Sequence, residues 1–184
     1  MFPQIETKRL ILTDIHAADA SEIFNIFSNK SVVEYYDLEQ FSEVSTAEKL
    51  IELFRARYTA KLGIRWAIRL KNESTLIGTC GFNSWSESMK SAVIGYDLNA
   101  SYWGNGYARE AVEGALDFAF FGSLPCGPIH RVQADTVVGN LRSEKLLLRL
   151  GFREEGLRRE SGHWKGAFHS LKCFGLLEGE LTKT

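Results

Sequence analysis

Hydrophobic positions along the chain follow two different periods, which predict a mixture of strands and helices. Alternation with period two indicates strands, whereas apolar residues three and four apart indicate amphipathic helices. Residues 31–45 show neither period, which predicts an irregular, aromatic segment. The helices are predicted at 16–29, 45–60, 107–121 and 141–150. The strands are predicted at 8–15, 63–70, 75–85, 91–98, 130–137, 152–161 and 168–177.

The order of these elements predicts an α+β (mixed α/β) fold in a single domain over residues 1–184, without repeats or linkers. Turn-rich KNES and SESMK separate three strands over 63–98, which predicts an antiparallel meander. Strand 91–98, helix 107–121 and strand 130–137 form one predicted βαβ unit. A ligand is therefore expected where the turn after 91–98 opens the sheet.

Composition and charge exclude several classes of protein. A net charge of −1 and 24% charged residues imply no general affinity for nucleic acid. The cysteines are three, far apart and without a CxxC pair, which argues against a disulfide framework or a zinc site and favours a reducing compartment. No apolar leader and no membrane-spanning stretch is apparent, so we expect a soluble cytoplasmic protein.

The stretch YWGNGYAREA, residues 102–111, places two glycines directly before a predicted helix. A helix N-terminus offers unpaired N–H groups and a partial positive charge, and glycines let a phosphate approach them closely. No Gly-Lys-Ser/Thr follows, and Arg109 occupies the last position of a G-x-G-x-x-G pattern, so two familiar nucleotide motifs are disfavoured. An adjoining anion would explain Arg109 in the first helical turn, whereas the alternative is a tight turn that binds nothing.

Three ordered blocks carry a resemblance to the GCN5-related N-acetyltransferases. SYWGNGYA at 101–108 resembles their pyrophosphate signature Q/R-x-x-G-x-G/A, although Ser101 stands where Gln or Arg is usual. NLRSEKLLLRLGF at 140–152 and the terminal EGLRRE and FHSLKCFGLL resemble the branch that acetylates ribosomal protein N-termini. The resemblance covers residues 91–177 well and the first ninety residues more loosely.

The resemblance implies a mostly antiparallel, strongly twisted sheet with flanking helices, in which the fourth and fifth predicted strands, 91–98 and 130–137, splay apart. Acetyl-CoA is the implied cosubstrate, with its pyrophosphate on the turn amides and its pantetheine along the splayed strand. The implied coenzyme-binding residues are Leu98, Trp103, Gly104, Asn105, Gly106, Tyr107, Ala108, Arg109 and Asn140.

The same resemblance assigns catalytic roles. Ser143 matches a serine that would protonate the departing thiolate, whereas the tyrosine that most relatives carry four residues later is Leu147 here. The alternative for Ser143 is helix capping, and Asn140 suits either capping or a pantetheine contact. Glu160 is the first candidate for the general base and Asp97 the second, although a charged strand residue usually faces solvent. A main-chain N–H in 96–99 is the implied oxyanion donor.

Aromatic segments and the closing hairpin supply candidates for the amine pocket. The substrate candidates are Tyr36, Asn83, Trp85 and His169, each of which could instead be packing. The four histidines lack the spacing of a metal site, and no metal is expected. Ser170 stands where close relatives often have aspartate, which weakens any transfer of their peptide recognition.

The resemblance predicts an N-acetyltransferase that moves an acetyl group from acetyl-CoA to a primary amine by direct attack in a ternary complex. The acceptor is a small amine or a protein N-terminus, such as that of a ribosomal protein, and the oligomeric state is a monomer or a homodimer. No membrane or direct nucleic-acid partner is expected. The alternative is a non-catalytic module that binds or senses acyl-CoA.

Overall fold

Eight strands and five α-helices form in the computed structural model, which describes residues 2–122 and 124–183. The helices are α1 (Ala20–Phe27), α2 (Lys30–Val33), α3 (Val44–Thr59), α4 (Tyr107–Phe120) and α5 (Leu141–Arg149). The strands are β1 (Ile5–Glu6), β2 (Leu10–Thr13), β3 (Ile64–Leu70), β4 (Leu76–Ser86), β5 (Ser91–Leu98), β6 (Arg131–Val137), β7 (Arg153–Trp164) and β8 (Ala167–Leu177).

All eight strands belong to one sheet in the order β1-β2-β3-β4-β5-β6-β8-β7. Every neighbouring pair is antiparallel except β5 and β6, which confirms the predicted meander and the single βαβ unit. The fold is therefore a mixed α/β fold with a mostly antiparallel sheet, as predicted.

Helices cover both faces of this sheet because the longer ones each carry one apolar stripe. The apolar face of α4 packs with one face of β3 to β6, where Ala111, Val112 and Ala115 are fully buried, together with Leu147 of α5. A second cluster on the other face joins α1 and α3, where Ile23, Phe27 and Ile51 are almost fully buried. Successive residues of a strand point to opposite faces, so β5 offers Tyr96 to the α4 side and Asp97 to the α3 side.

The parallel pair β5 and β6 separates after three residues. The two strands are paired only where Ser91–Val93 meets Arg131–Gln133. Beyond that point β6 stays paired with β8 along 131–137, while β5 continues to Leu98 beside β4. This is the predicted splay of 91–98 and 130–137.

The first forty-five residues and the closing hairpin differ in detail from the sequence prediction. The segment 31–45 is not wholly irregular, because α2, which begins at Lys30, extends into it as far as Val33, and α3 begins at Val44. The Asn29 side chain caps α2 by accepting a hydrogen bond from Ser31 N. The helix predicted at 16–29 is divided into a 3-10 turn at Ala17–Asp19 and α1. Strand β1 carries no period of its own, and β7 extends to Trp164, three residues beyond the predicted end at 161.

Candidate functional site

A cavity of about 510 Å³ occupies the opening between β5 and β6. Residues 94–96 line it on one side and residues 134–137 on the other, and side chains from both faces of the sheet contribute. Tyr36, Phe54 and Arg65 belong to the α3 face, whereas Ser143 and Leu147 belong to α5. The splayed strands therefore create a passage through the sheet in which two ligands can meet from opposite faces.

The glycine turn before α4 has the geometry of an anion site. Gly104 and Gly106 have φ of +79° and +78°, a left-handed conformation that glycine adopts without strain. The Asn105 side chain donates to the carbonyls of Tyr102 and Trp103, both at 3.2 Å, and holds the turn closed. Along the described chain, Glu110 is the first residue of α4 whose N–H donates to a backbone carbonyl, that of Gly106. The Trp103 N–H already donates to the Ala100 carbonyl at 3.2 Å, whereas the amides of residues 104–109 are available to a phosphate.

Arg9, from the N-terminal segment, supports this turn. The sequence did not single out this arginine. Arg9 Nη1 donates to the Asn105 carbonyl at 2.9 Å, and its guanidinium lies 4.5 Å from the centre of the Tyr107 ring. Arg9 also binds Glu110 in the first turn of α4, through its backbone N–H at 2.6 Å and its Nε at 2.7 Å. In the sequence, Arg9 was recognised only as part of the strand predicted at 8–15.

Three of the coenzyme-binding candidates have structural contacts of their own. Trp103 Nε1 donates to the Leu98 carbonyl at 2.8 Å, which ties the turn to the end of β5. Arg109 Nη2 lies 3.4 Å from the Arg149 carbonyl at the C-terminus of α5, where a cation is favourable. This contact explains why a cation stands in the first turn of α4 even when no anion is bound. Arg109 Nε, by contrast, is buried without a partner in the described part of the chain.

Ser143 combines a capping position with a side chain that faces the cavity. The Asn140 side chain caps α5 by accepting a 3.3 Å hydrogen bond from Ser143 N. The Ser143 hydroxyl takes no part in that cap and instead lies 2.5 Å from the Tyr96 hydroxyl of β5. Leu147, one turn later on α5, lines the same cavity and is fully buried. Tyr96 was not among the sequence candidates.

Asp97 points to the opposite face and lies in a buried polar network. Its carboxylate accepts hydrogen bonds from Thr79 N at 3.1 Å and Thr79 Oγ1 at 2.6 Å, and Arg65 Nη2 lies 4.0 Å away. Burial raises the pKa of Asp97, whereas Arg65 and Thr79 oppose that rise. Asp97 does not line the cavity, so its geometry is that of a structural carboxylate.

Tyr36 and Arg65 complete this network at the cavity wall. Arg65 Nη2 donates to the Tyr36 hydroxyl at 3.0 Å, and Arg65 Nη1 donates to the Gly95 carbonyl at 2.5 Å. Burial raises the pKa of Tyr36 despite the opposing charge of Arg65, so its phenol stays protonated. Asn83, at the bulge of β4, also lines the cavity, and its carbonyl accepts from Arg57.

The remaining sequence candidates lie outside the cavity lining. Glu160 is exposed on β7 with φ of +50°, and its N–H donates to Ser170 Oγ at 3.0 Å. Trp85 packs against the core cluster of the α4 face. His169 stacks on Trp164 with ring centres 4.2 Å apart, and only Trp164 of this pair lines the cavity.

Two carboxylates line the acceptor side of the cavity, and the sequence did not single them out. Asp135 of β6 is paired with Arg158 of β7. Asp37, in the loop after α2, is exposed and has no ion-pair partner among residues 2–122 and 124–183. Lys165 of the hairpin turn donates to the Val33 carbonyl at 2.5 Å and holds the hairpin against α2. The loop that carries Asp37 forms part of the cavity wall, because Tyr35, Tyr36 and Leu38 also line it.

Two negative findings apply to the part of the chain that the structure describes. None of its helices has the length and the apolar character needed to cross a bilayer. No three His, Cys, Asp or Glu side chains of residues 2–122 and 124–183 come together as a metal-binding group.

The sheet, its opening and the glycine turn define an α/β protein that presents main-chain N–H groups to an anion beside a cavity through the sheet. Comparison with known proteins gives the same class by an independent route. The family model "Acetyltransferase (GNAT) domain" matches residues 9–153. The chain therefore belongs to the GNAT family of acetyltransferases.

Individual relatives agree with this assignment. The uncharacterized N-acetyltransferase YoaA of Bacillus subtilis (strain 168) is 35% identical over 97% of this chain and 98% of its own length. The uS5-alanine N-acetyltransferase of Escherichia coli (strain K12) is 30% identical over 51% of this chain and 49% of its own length. The solved structure of RimL, a ribosomal L7/L12 acetyltransferase, in complex with coenzyme A has a TM-score of 0.82 at 19% identity, covering 95% of this chain and 98% of that one.

These findings identify an acetyl-CoA-dependent N-acetyltransferase. The predicted family, fold and cosubstrate are confirmed, and the alternative of a non-catalytic acyl-CoA module is not favoured. The roles of the individual site residues remain predictions.

Proposed function

We propose that the amine acetylated by this enzyme is the N-terminus of a protein, with a ribosomal protein as the first candidate. The observation that carries this proposal is the cavity through the splayed sheet, whose lining includes Asp37 and Trp164. The name of the Escherichia coli relative supports a ribosomal acceptor. A protonated α-amine is a cation, and the carboxylate of Asp37, which forms no ion pair within the described residues, suits its approach.

Different residues are proposed to bind the coenzyme and the amine. The amides of the turn before α4 and the Asn140 side chain are the proposed contacts for the coenzyme. When bound, acetyl-CoA supplies an acetyl thioester. Tyr36, Asn83 and Arg65 wall the side from which the amine approaches. The buried hydrogen bonds of Arg65 to Tyr36 and to Gly95 fix that wall in one arrangement.

Direct attack requires a neutral amine, an oxyanion donor and a proton for the thiolate. We propose a main-chain N–H in 96–99 as the oxyanion donor and Ser143 as the proton donor. Glu160 and Asp97 remain the predicted bases, but neither lines the cavity. Asp37 lines it without an ion-pair partner in the described chain, and we therefore add Asp37 as the carboxylate that receives the amine proton, directly or through water.

A screen of acceptors tests the proposal. Purified protein is supplied with acetyl-CoA and with peptides that begin with Ala, Ser or Thr, with polyamines or with aminoglycosides, and thiol release is measured. Peptides with the same sequence but an acetylated N-terminus are the matched control. We expect release only with free α-amino peptides. Faster turnover with a polyamine or an aminoglycoside would overturn the protein-acceptor proposal while leaving the acetyltransferase assignment intact.

A further inference from the structure

We propose that Tyr96 and Ser143 act as one unit, a pair of hydrogen-bonded hydroxyls that delivers the proton to the departing thiolate of coenzyme A. This inference rests on the acetyl transfer activity and adds Tyr96 to the catalytic residues. The two oxygens are 2.5 Å apart. Their residues belong to β5 and to α5, on either side of the opening in the sheet, and both line the cavity.

The hydroxyl pair of Tyr96 and Ser143 has one O–H that can donate to a ligand. Each hydroxyl carries one proton and can also accept hydrogen bonds. Their mutual bond uses one of the two protons, and neither oxygen has another partner among residues 2–122 and 124–183. Whichever group donates within the pair, one O–H is left for an acceptor inside the cavity. The Asn140 cap engages Ser143 N, so the hydroxyl of Ser143 is not needed there.

Burial in the cavity wall keeps the Tyr96 hydroxyl protonated before the thiolate leaves. Burial raises the pKa of Tyr96, and the hydrogen bond with Ser143 only partly opposes the rise, so the phenol remains neutral. Leu147, at the position where the family resemblance implies a tyrosine, is fully buried and carries no proton. The phenol that α5 lacks is thus supplied to the same cavity from β5.

The proposed step balances in protons and electrons. The lone pair of the amine forms the new N–C bond, and the electrons of the broken C–S bond remain on sulfur. The hydroxyl pair gives one proton to that sulfur, and within the pair the second O–H replaces the first. The pair then regains a proton from water, while the proton lost by the amine leaves through the base. No oxidant, metal or further reactant is required.

Kinetics of three variants test the proposal. We expect Tyr96→Phe and Ser143→Ala each to lower kcat about 100-fold while KM for acetyl-CoA stays within about twofold. The double variant should lose no more than either single variant, because residues that act as a unit are strongly non-additive. Tyr58→Phe removes only the hydroxyl of a tyrosine whose ring packs on Phe2 outside the cavity; it is the control and should keep wild-type kcat. A Tyr96→Phe enzyme with wild-type kcat, or losses that multiply in the double variant, would overturn it.

Ligand binding provides a second readout that does not depend on turnover. Calorimetry compares the Kd of coenzyme A with that of desulfo-coenzyme A, which lacks the sulfur. We expect the wild type to prefer coenzyme A and both variants to lose this preference, since the intact pair is the contact to sulfur and removal of either hydroxyl breaks it. A wild type without preference, or a Tyr96→Phe protein with wild-type preference, would contradict the inference.

The outcomes for this inference and for the proposed acceptor are separable. If no amine tested is acetylated, the proposed function fails, yet the sulfur preference still tests the hydroxyl pair. Thermal unfolding of each variant verifies that it is folded, and the control Tyr58→Phe is measured in the same way. A folded Tyr96→Phe protein that binds desulfo-coenzyme A normally shows that any loss arises at the sulfur.

Discussion

Glu110 accepts hydrogen bonds from both the main chain and the side chain of Arg9, a residue 101 positions earlier. Thr7 Oγ1 donates to the same carboxylate at 2.6 Å. Because Arg9 also donates to the Asn105 carbonyl, the N-terminal segment fixes the turn whose amides are proposed to hold the pyrophosphate. The turn is thereby ordered before a ligand arrives, which lowers the entropy cost of binding.

Arg9→Ala should weaken coenzyme A binding, because the Asn105 carbonyl loses its donor and the turn gains freedom. We expect Kd to rise about fivefold, equivalent to about 1 kcal/mol, measured by calorimetry. Lys71→Ala removes a cation that is about as exposed as Arg9 and is paired with Glu6, and it serves as the control. An unchanged Kd for Arg9→Ala would show that the turn is ordered without the arginine.

The contribution of Glu110 to the free energy of unfolding should decrease at low pH. Partial burial raises the pKa of Glu110, but the hydrogen bonds from Thr7 and Arg9 outweigh it and leave the folded-state pKa below the ordinary value. The contribution to stability is therefore present above the pKa of the unfolded chain and is lost as pH falls through the folded-state value.

Urea unfolding of the wild type and Glu110→Gln over a range of pH measures this contribution. We expect the wild type to be the more stable at neutral pH and the difference to shrink below about pH 4.3, the ordinary glutamate value. A difference that stays constant down to pH 2 would contradict the assigned ion pair.

Gly104→Val should reduce coenzyme A affinity strongly. A Cβ at Gly104 meets no protein atom within 4 Å, so the added bulk would enter only the space proposed for the ligand. We expect Kd to rise about tenfold or more. Gly127→Val is a matched control, because Gly127 also has a left-handed φ, +82°, and open space around it. Equal effects of the two substitutions on Kd would attribute the loss to backbone strain.

Asp97→Asn should act on stability more than on chemistry. The substitution removes the negative charge beside the buried guanidinium of Arg65 and replaces one acceptor of Thr79 with a donor. We expect a loss of about 3 kcal/mol in the free energy of unfolding, measured with urea. Asp117→Asn, which breaks an exposed pair with Lys183, should cost less than about 1 kcal/mol. Unchanged stability with a large loss of kcat would restore Asp97 as the base.

The pH profile of kcat/KM separates the candidate bases. A base works only when deprotonated, so kcat/KM falls as the pH drops below the pKa of that group. If Asp37 receives the amine proton, Asp37→Asn should lower kcat/KM and flatten the acid limb, whereas Glu160→Gln should keep the wild-type profile. The reverse result would restore Glu160, which the structure places outside the cavity lining.

Local patterns in the sequence were sufficient to predict most of the helices and strands. The strand at 91–98 and the helix at 107–121 are predicted to within one residue, because the period of hydrophobic positions records which face each element buries. The left-handed conformations of Gly104 and Gly106 follow from the same stretch, since few other residues adopt them cheaply. The helix α2 was missed because four residues with a single buried side chain show no period.

The candidate site was predictable where it consists of main chain and less so where it consists of side chains. The glycine turn and the cap of α5 at Asn140 lie in single local segments. By contrast, Tyr96 meets Ser143 across 47 positions and Arg9 meets Glu110 across 101. No periodicity encodes such meetings. Nor does any local pattern show that Asp37 lines the cavity whereas Asp97 and Glu160 do not.

The sequence by itself determined the elements, the order of strand, helix and strand around the glycine turn, and the family signature. Only the tertiary structure decided which side chains share the opening between β5 and β6 and which face of the sheet each carboxylate occupies. The physical reason is that secondary structure depends on residues a few positions apart. Contacts across the opening depend instead on strand order, register and splay, which many distant residues fix together.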